Sequence, residues 1–240
     1  MPATSNARPD IKFCGICSPD DLKAVNEIAP EYLGFVFFEK SKRKVSAEEA
    51  CALRAMLAES IKAVGVFVDA EPAFIAELFG KGTIQVAQLH GTEDAAYIER
   101  LRSLAPELEI WQAFEVKDAA DIEAANASCA DFVLLDGGKG EGRAFDWTLL
   151  AQVARPFGLA GGMSIENVGS ALMNCQPSLV DVSSGIESVL TDAQGRPRKS
   201  EALMRGFVSM VEQSAPFANA TRSFEAAVKQ IEALAEQTKP

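Results

Sequence analysis

Two glycine-ended stretches stand out as places where this chain could hold an anion. Phe157-Gly-Leu-Ala-Gly-Gly162 and Leu179-Val-Asp-Val-Ser-Ser-Gly185 are apolar runs that stop at residues with small side chains or none. Such endings let backbone N–H groups approach closely, which is how a phosphate is held without a lysine. The first precedes a helical pattern opening at Ser164, and Ser183-Ser184-Gly185 lies where another helical turn can start, so both aim positive dipole ends at one ligand. Gly161, Gly162, Ser183, Ser184 and Gly185 are therefore the candidate phosphate-binding residues.

Four single side chains could do chemistry next to that ligand. Cys14 ends the run Ile11-Lys-Phe-Cys14 and precedes Gly15; its thiolate would be a base or nucleophile if the site lowers its pKa. The other reading is a buried structural cysteine. Asp136 follows the apolar Phe132-Val-Leu-Leu135, where partial desolvation would let it act as an acid near neutral pH; otherwise it starts a loop as an Asx turn. Arg43, in Glu39-Lys-Ser-Lys-Arg-Lys44, either pairs its planar fork with a substrate carboxylate or belongs to a solvated charge run. His90, the only histidine, is either near the substrate or in a structural hydrogen bond, and one histidine makes no metal site of its own kind. Cys14-Gly-Ile-Cys17 also spells C-x-x-C, a spacing used in redox sites, whereas zinc would want a second such pair or nearby histidines.

The elements that must position these groups alternate along the chain. Strand-like runs near 11–15, 32–38, 62–68, 84–89, 109–114, 131–135, 156–160 and 178–182 are separated by helical patterns near 19–29, 46–59, 71–80, 93–104, 118–127, 146–154 and 164–174, with another near 199–213. Ser46 with Glu49 spells a capping box, and Ser18-Pro19-Asp20 a helix start. Eight evenly spaced strands, apolar nearly throughout and with no Gly-x-Gly-x-x-Gly after the first, favour a (β/α)8 TIM barrel over an open doubly wound sheet. Reactive groups then belong at strand C-terminal ends, and phosphate after strands seven and eight. The expected domains are a barrel over 1–212 and, over 213–240, a linker followed by an appended C-terminal helix carrying Phe224, Ala227, Val228, Ile231 and Leu234.

Composition bounds the partners. The chain has 240 residues, 48% of them hydrophobic, enough for one full core. A net charge of −11 argues against nucleic acid, and no apolar run approaches a membrane span. The polar start lacks a signal-peptide core, and five scattered cysteines do not form a disulfide framework. A cytoplasmic protein acting on a small phosphorylated molecule, as a monomer or homodimer, is the expectation.

Taken in order, these stretches resemble the phosphoribosylanthranilate isomerase family of tryptophan biosynthesis. The resemblance runs from about residue 11 to 212 and rests on Lys12-Phe-Cys-Gly-Ile16, Leu33-Gly-Phe-Val-Phe37, Ser41-Lys-Arg43 with Val45-Ser46, Val64-Gly-Val-Phe-Val68, Gln88-Leu-His-Gly91, Leu134-Leu-Asp136, Phe145-Asp-Trp147, Leu159-Ala-Gly-Gly162 and Asp181-Val-Ser-Ser-Gly185. It implies an Amadori rearrangement of N-(5′-phosphoribosyl)anthranilate in a (β/α)8 barrel, without metal or cofactor. By that resemblance Asp136 protonates the furanose ring oxygen, Cys14 removes the C2′ proton, Arg43 faces the anthranilate carboxylate, and Gln88, His90 and Asp181 contact the substrate.

The chain departs from the family in four places. Cys17 stands where Thr is usual, which predicts a Cys14–Cys17 disulfide under oxidation. Lys139-Gly-Glu-Gly142 replaces a Gly-Gly-Thr-Gly, and 191–200 lacks the family's Lys-Asp pair in clear register, with Lys199-Ser200 the nearest match. The tail beyond 213 has no family counterpart. Two other readings stay open: a different sugar-phosphate isomerase, although the histidine-pathway relative uses aspartate where this chain has Cys14, and a barrel that binds a sugar phosphate without turnover.

Overall fold

Short runs rich in β-branched and aromatic residues, bounded by turn formers, become strands because they pack well on a pleated surface covered on both sides. The computed structural model describes residues 8–138, 147–217 and 220. Its strands are β1 (Asp10–Cys14), β2 (Tyr32–Val36), β3 (Lys62–Phe67), β4 (Val86–Leu89), β5 (Glu109–Glu115), β6 (Phe132–Asp136), β7 (Phe157–Ala160) and β8 (Leu179–Val182). Each pairs in parallel with the next and β1 closes on β8, giving the eight-stranded barrel expected from the sequence.

Outside the barrel lie α1 (Pro19–Ile28), α2 (Ala47–Met56), α3 (Pro72–Gly80), α4 (Ala95–Leu104), α5 (Ala119–Ala127), α6 (Ile165–Cys175) and a seventh helix, α7, over 201–217. The capping box of α2 forms, Ser46 Oγ accepting from Glu49 N and Glu49 accepting from Ser46 N. Ser18 caps α1 ahead of Pro19. Two segments differ from expectation. The helix read near 146–154 is a 3₁₀ turn, Trp147–Gln152, cut short before Pro156 by Arg155, which binds the carbonyls of Ser128 and Ala130. The α7 helix continues into the stretch read as a linker because its buried stripe, Met204, Phe207, Val211 and Ala215, still faces the barrel. The Lys139–Gly142 departure and the expected appended helix lie outside the described residues.

An element absent from the sequence reading follows β8. Strands β9 (Glu187–Thr191) and β10 (Pro197–Lys199) form an antiparallel hairpin. Asp192 Oδ1 ties its turn by accepting from Gln194 N and Arg196 N. Arg196 pins the hairpin to the barrel rim, donating to Lys44 O, Glu49 and Cys17 O, while Arg198 reaches Asp20 and Asp21.

Strand periodicity sorts the core. Residues facing out, such as Ile11, Phe13, Leu33, Phe35, Val180 and Val182, pack with α1, α2, α6 and α7; Phe67, Ala87, Leu89 and Ile110 pack with α3 and α4. Those facing in, Val64, Val86, Trp111, Leu134 and Leu179, fill the barrel floor. Two positions further along the same faces come Gln88 after Val86, Asp136 after Leu134 and Asp181 after Leu179, joined on β1 by Lys12 and Cys14. The barrel is therefore apolar below and polar at its mouth.

Candidate active site

The polar mouth opens on a cavity of about 580 Å³. Cys14, Arg43, Gln88, His90, Asp136, Gly161, Gly162, Asp181, Ser183 and Ser184 all line it, so groups spread over most of the sequence share one pocket. Gly185 lies behind this wall: a Cβ there would collide with Met163 O, so the loops after β7 and β8 touch only because position 185 has no side chain. The turn after β8 is a single 3₁₀ turn, Ser184–Ile186, rather than the start of a helix. Ser164 opens α6 with a capping box, and the helical turn expected at Ser183-Ser184-Gly185 is this one 3₁₀ turn.

Asp136 ends β6 and forms the Asx turn of the loop-starting reading while its carboxylate lines the cavity. Its Oδ1 accepts from Gly138 N at 2.8 Å, an Asx turn, while Oδ2 faces His90 Nε2 at 3.7 Å inside the cavity. Gly161, at φ 83°, permits this: a Cβ there would strike Asp136 Oδ1.

Cys14, at the end of β1, is a free thiol. Burial pushes it above the ordinary thiol value and the nearby Lys12 ammonium opposes that rise, so the site does not lower the pKa as the sequence reading required of a thiolate. Lys12 is completely buried, and its Nζ donates to Asp181 Oδ2 at 2.7 Å. Burial pulls the Lys12 ammonium down, but Asp181 and Cys14 outweigh it and hold the group above its usual value. Two buried acceptors, Asp181 Oδ1 and Gln88 Oε1, have no hydrogen-bond partner among the described residues. In a lined cavity such atoms are free to accept from a ligand.

Arg43 spans from the β2–α2 loop toward the hairpin, its Nε donating to Glu187 Oε1 at 2.5 Å. Burial favours the protonated form of Glu187, yet the hydrogen bond from Arg43 and the charges of Lys199 and Arg43 hold its carboxyl below the ordinary value. Lys199 Nζ donates to Ser183 O at 2.9 Å and to Glu187 at 3.3 Å, tying the loop after β8 to the hairpin.

The expected Cys14–Cys17 disulfide is not supported. Both sulfurs are free, and Cys17 turns the other way: its Sγ donates to Pro197 O and it lines a separate cavity of about 490 Å³ against the hairpin. Burial raises the Cys17 thiol to about 11, with Arg196 opposing. In this state Cys17 packs against the hairpin. Lys12, Glu187 and Lys199 are the site residues to which the sequence reading gave no role. A charge between Ile11 and Phe13, on the face that Asp10 and Cys14 share, was the available signal for Lys12. Among the described residues no group of three His, Cys, Asp or Glu is placed to hold a metal ion, and no helix is long and apolar enough to cross a membrane.

Comparison with known proteins agrees with this geometry. Residues 11–195 match the family model of N-(5′-phosphoribosyl)anthranilate (PRA) isomerase. The N-(5′-phosphoribosyl)anthranilate isomerase of Clostridium kluyveri is 40% identical over 181 residues, covering 74% of this chain and 88% of that one. That of Lacticaseibacillus casei is 39% identical over 178 residues, covering 74% and 85%. Among solved structures, phosphoribosyl anthranilate isomerase from Thermotoga maritima superposes with a TM-score of 0.74 at 32% identity, covering 85% of this chain and 99% of that one. A phosphoribosyl anthranilate isomerase in complex with reduced 1-(o-carboxyphenylamino)-1-deoxyribulose 5-phosphate superposes at 0.72, also at 32% identity and with 85% and 99% covered. The barrel, the loops after its seventh and eighth strands and the residues at its mouth thus sit within a sequence match that spans most of the fold, and the chain belongs to the phosphoribosylanthranilate isomerase family.

Proposed function

We propose that Asp136 and Cys14 isomerise N-(5′-phosphoribosyl)anthranilate to 1-(2-carboxyphenylamino)-1-deoxyribulose 5-phosphate as an acid–base pair. As a member of its family the chain is an aldose–ketose isomerase of tryptophan biosynthesis. The observation that carries the residue roles is the shared cavity: a thiol from β1 and a carboxyl from β6 open on one pocket, with Arg43 on one wall and the two Gly/Ser loops on another.

The proposed steps make use of that placement. Asp136 gives its proton to the furanose ring oxygen, the C1′–O bond breaks, and the nitrogen lone pair closes a C1′=N iminium. Cys14 thiolate takes the C2′ proton; the C–H electrons form C1′=C2′ and neutralise the nitrogen, giving an enolamine. Tautomerisation adds a proton at C1′ and removes one from the 2′-hydroxyl, which restores the starting protonation of the pair. Each step is a proton transfer or a bond shift within the substrate, so a positioned acid and base suffice. Arg43 holds the anthranilate carboxylate with the guanidinium nitrogens not engaged by Glu187, the Gly161-Gly162 and Ser183–Gly185 loops hold the phosphate, and Gln88, His90 and Asp181 face the ribose. The unpartnered Gln88 Oε1 and Asp181 Oδ1 suit sugar hydroxyl donors.

Every one of these groups comes from a single barrel, so a monomer or a homodimer in the cytoplasm would be equally competent. Complementation of a tryptophan auxotroph lacking this step is the test. Wild-type sequence restores growth, while Cys14→Ala and Asp136→Asn do not; a barrel that only binds a sugar phosphate fails to complement even as wild type.

A further inference from the structure

Lys12 is a charged side chain wholly removed from solvent, in the inward layer directly above the apolar barrel floor. Burying an ammonium is costly, and a buried ion pair is commonly replaceable by apolar residues of similar volume without loss of stability. The Lys12–Asp181 bridge is therefore poorly explained by folding alone. Its location suggests another use. Lys12 and Asp181 are register partners on β1 and β8, and Cys14 is two residues along from Lys12 on the same inward face. The Lys12 Nζ and the Cys14 Sγ both crowd the spot over Gly34, where an added Cβ would lie 3.2 Å from the nitrogen and 2.9 Å from the sulfur. A side chain at Gly34 would therefore crowd both.

We propose that Lys12 is a positioning residue of the isomerisation: clamped by Asp181, its ammonium sits against the Cys14 sulfur and favours thiolate over thiol when the C2′ proton is taken. The inference rests on the isomerase reading and adds to it the group that makes a buried thiol usable as a base. Lys12 gives up no proton. The C2′–H bond breaks, an S–H bond forms, and the ammonium compensates the charge the sulfur carries before that transfer. The other charges facing this cluster are Asp181, with Asp136 and His90 beyond it, and Lys199 with the Arg43–Glu187 pair on the hairpin side. Burial raises the Cys14 thiol and Lys12 is the foremost of the groups opposing that rise.

The sign of the expected pH effect follows. The reacting pair carries one proton between Asp136 and Cys14, so kcat/KM falls on the alkaline side as Cys14 loses its proton and the pair loses its last one. Removing the ammonium raises the thiol pKa. That moves the alkaline limb to higher pH and shrinks the fraction of the pair present as thiolate and carboxylic acid.

Lys12→Met and Lys12→Arg test this by two readouts: the pH profile of kcat/KM, and the pH dependence of iodoacetamide alkylation of Cys14, followed on its own peptide by mass spectrometry. Lys12→Met is expected to lower kcat by about tenfold, the factor by which the reactive thiolate fraction shrinks. It should also shift both the alkaline limb and the alkylation midpoint upward by about one pH unit, a tenfold change in thiolate at a given pH. Lys12→Arg should restore part of the shift. Should Lys12→Met unfold because Asp181 is left unpaired, Lys12→Met/Asp181→Asn is compared with Asp181→Asn alone, and the same upward shift is expected. Loss of activity with limb and alkylation midpoint unmoved would assign Lys12 a structural role and overturn the proposal, as would activity near wild type. Alkylation needs no turnover, so failure of the isomerase reading, seen as wild-type inactivity, is distinguishable from failure of this one.

Discussion

Of the two oxygens of Asp136, one is fixed by the Gly138 N–H at 2.8 Å and the other faces His90 across 3.7 Å, so the proposed mechanism assigns ring-oxygen protonation to Oδ2. The first contact aims the second. Gly161 allows it by having no side chain where Asp136 Oδ1 passes. Gly161→Ala is therefore expected to displace the acid, and since a displacement of about 1 Å can cost about 10²-fold in rate, kcat should fall by that order. The check is steady-state kinetics beside a thermal melt; kcat unchanged in a folded variant contradicts the aiming role. At this scale the ends of strands pointed to residues that line the cavity. Cys14, Asp136, Gly161 and Ser183 each follow an apolar run, and all four reach the cavity. Lys12 escaped because it lies inside a strand, one position from the apolar pattern that hides it. Reading Asp10, Lys12 and Cys14 as one face of β1 would have exposed it. The C-x-x-C spacing did not reveal that Cys14 lines the barrel cavity while Cys17 lines the cavity against the hairpin.

The β9–β10 hairpin is the element that joins site to scaffold. It contributes Glu187 to Arg43 and Lys199 to the Ser183 carbonyl, and Arg196 anchors it to the loops after β1 and β2 through Cys17 O and Lys44 O and to α2 through Glu49. Arg196→Ala leaves Asp192, Glu49 and two carbonyls short of a charged donor, a loss of about 1–3 kcal/mol. The expected result is a lower Tm together with a raised KM, because Glu187 and Lys199 ride on the loosened hairpin. A lowered Tm with KM intact would detach the hairpin from substrate binding. Every barrel strand was visible in the sequence because all are short apolar runs between turn formers. The hairpin was not, since Glu187-Ser-Val-Leu-Thr191 has little to bury and leaves Val189 and Leu190 exposed. The 3₁₀ turn Trp147–Gln152 was read as a helix because its apolar spacing fits both, and length decided between them.

Over the whole molecule, an acidic protein must admit an anion. The net charge of −11 is offset locally by Lys40, Lys42 and Arg43, which line the cavity mouth, so the run Glu39–Lys44 is both a charged surface loop and part of the site. Charge placed at a cleft raises the local substrate concentration despite the sign of the distant surface. Barrel closure does the rest: it turns β1, β6, β7 and β8, remote in sequence, into neighbours around one pocket. That closure was legible from strand count and spacing, while the side-chain pairings across it, Lys12 with Asp181 and Arg43 with Glu187, depend on distances that no linear pattern carries. The most direct measurement is the single-turnover rate of N-(5′-phosphoribosyl)anthranilate, followed by anthranilate fluorescence with enzyme in excess, for wild type, Cys14→Ala and Asp136→Asn. The acid–base account predicts rapid turnover by wild type and losses of about 10²–10⁴-fold in each variant with product affinity nearly unchanged. Either variant turning over within tenfold of wild type would contradict it.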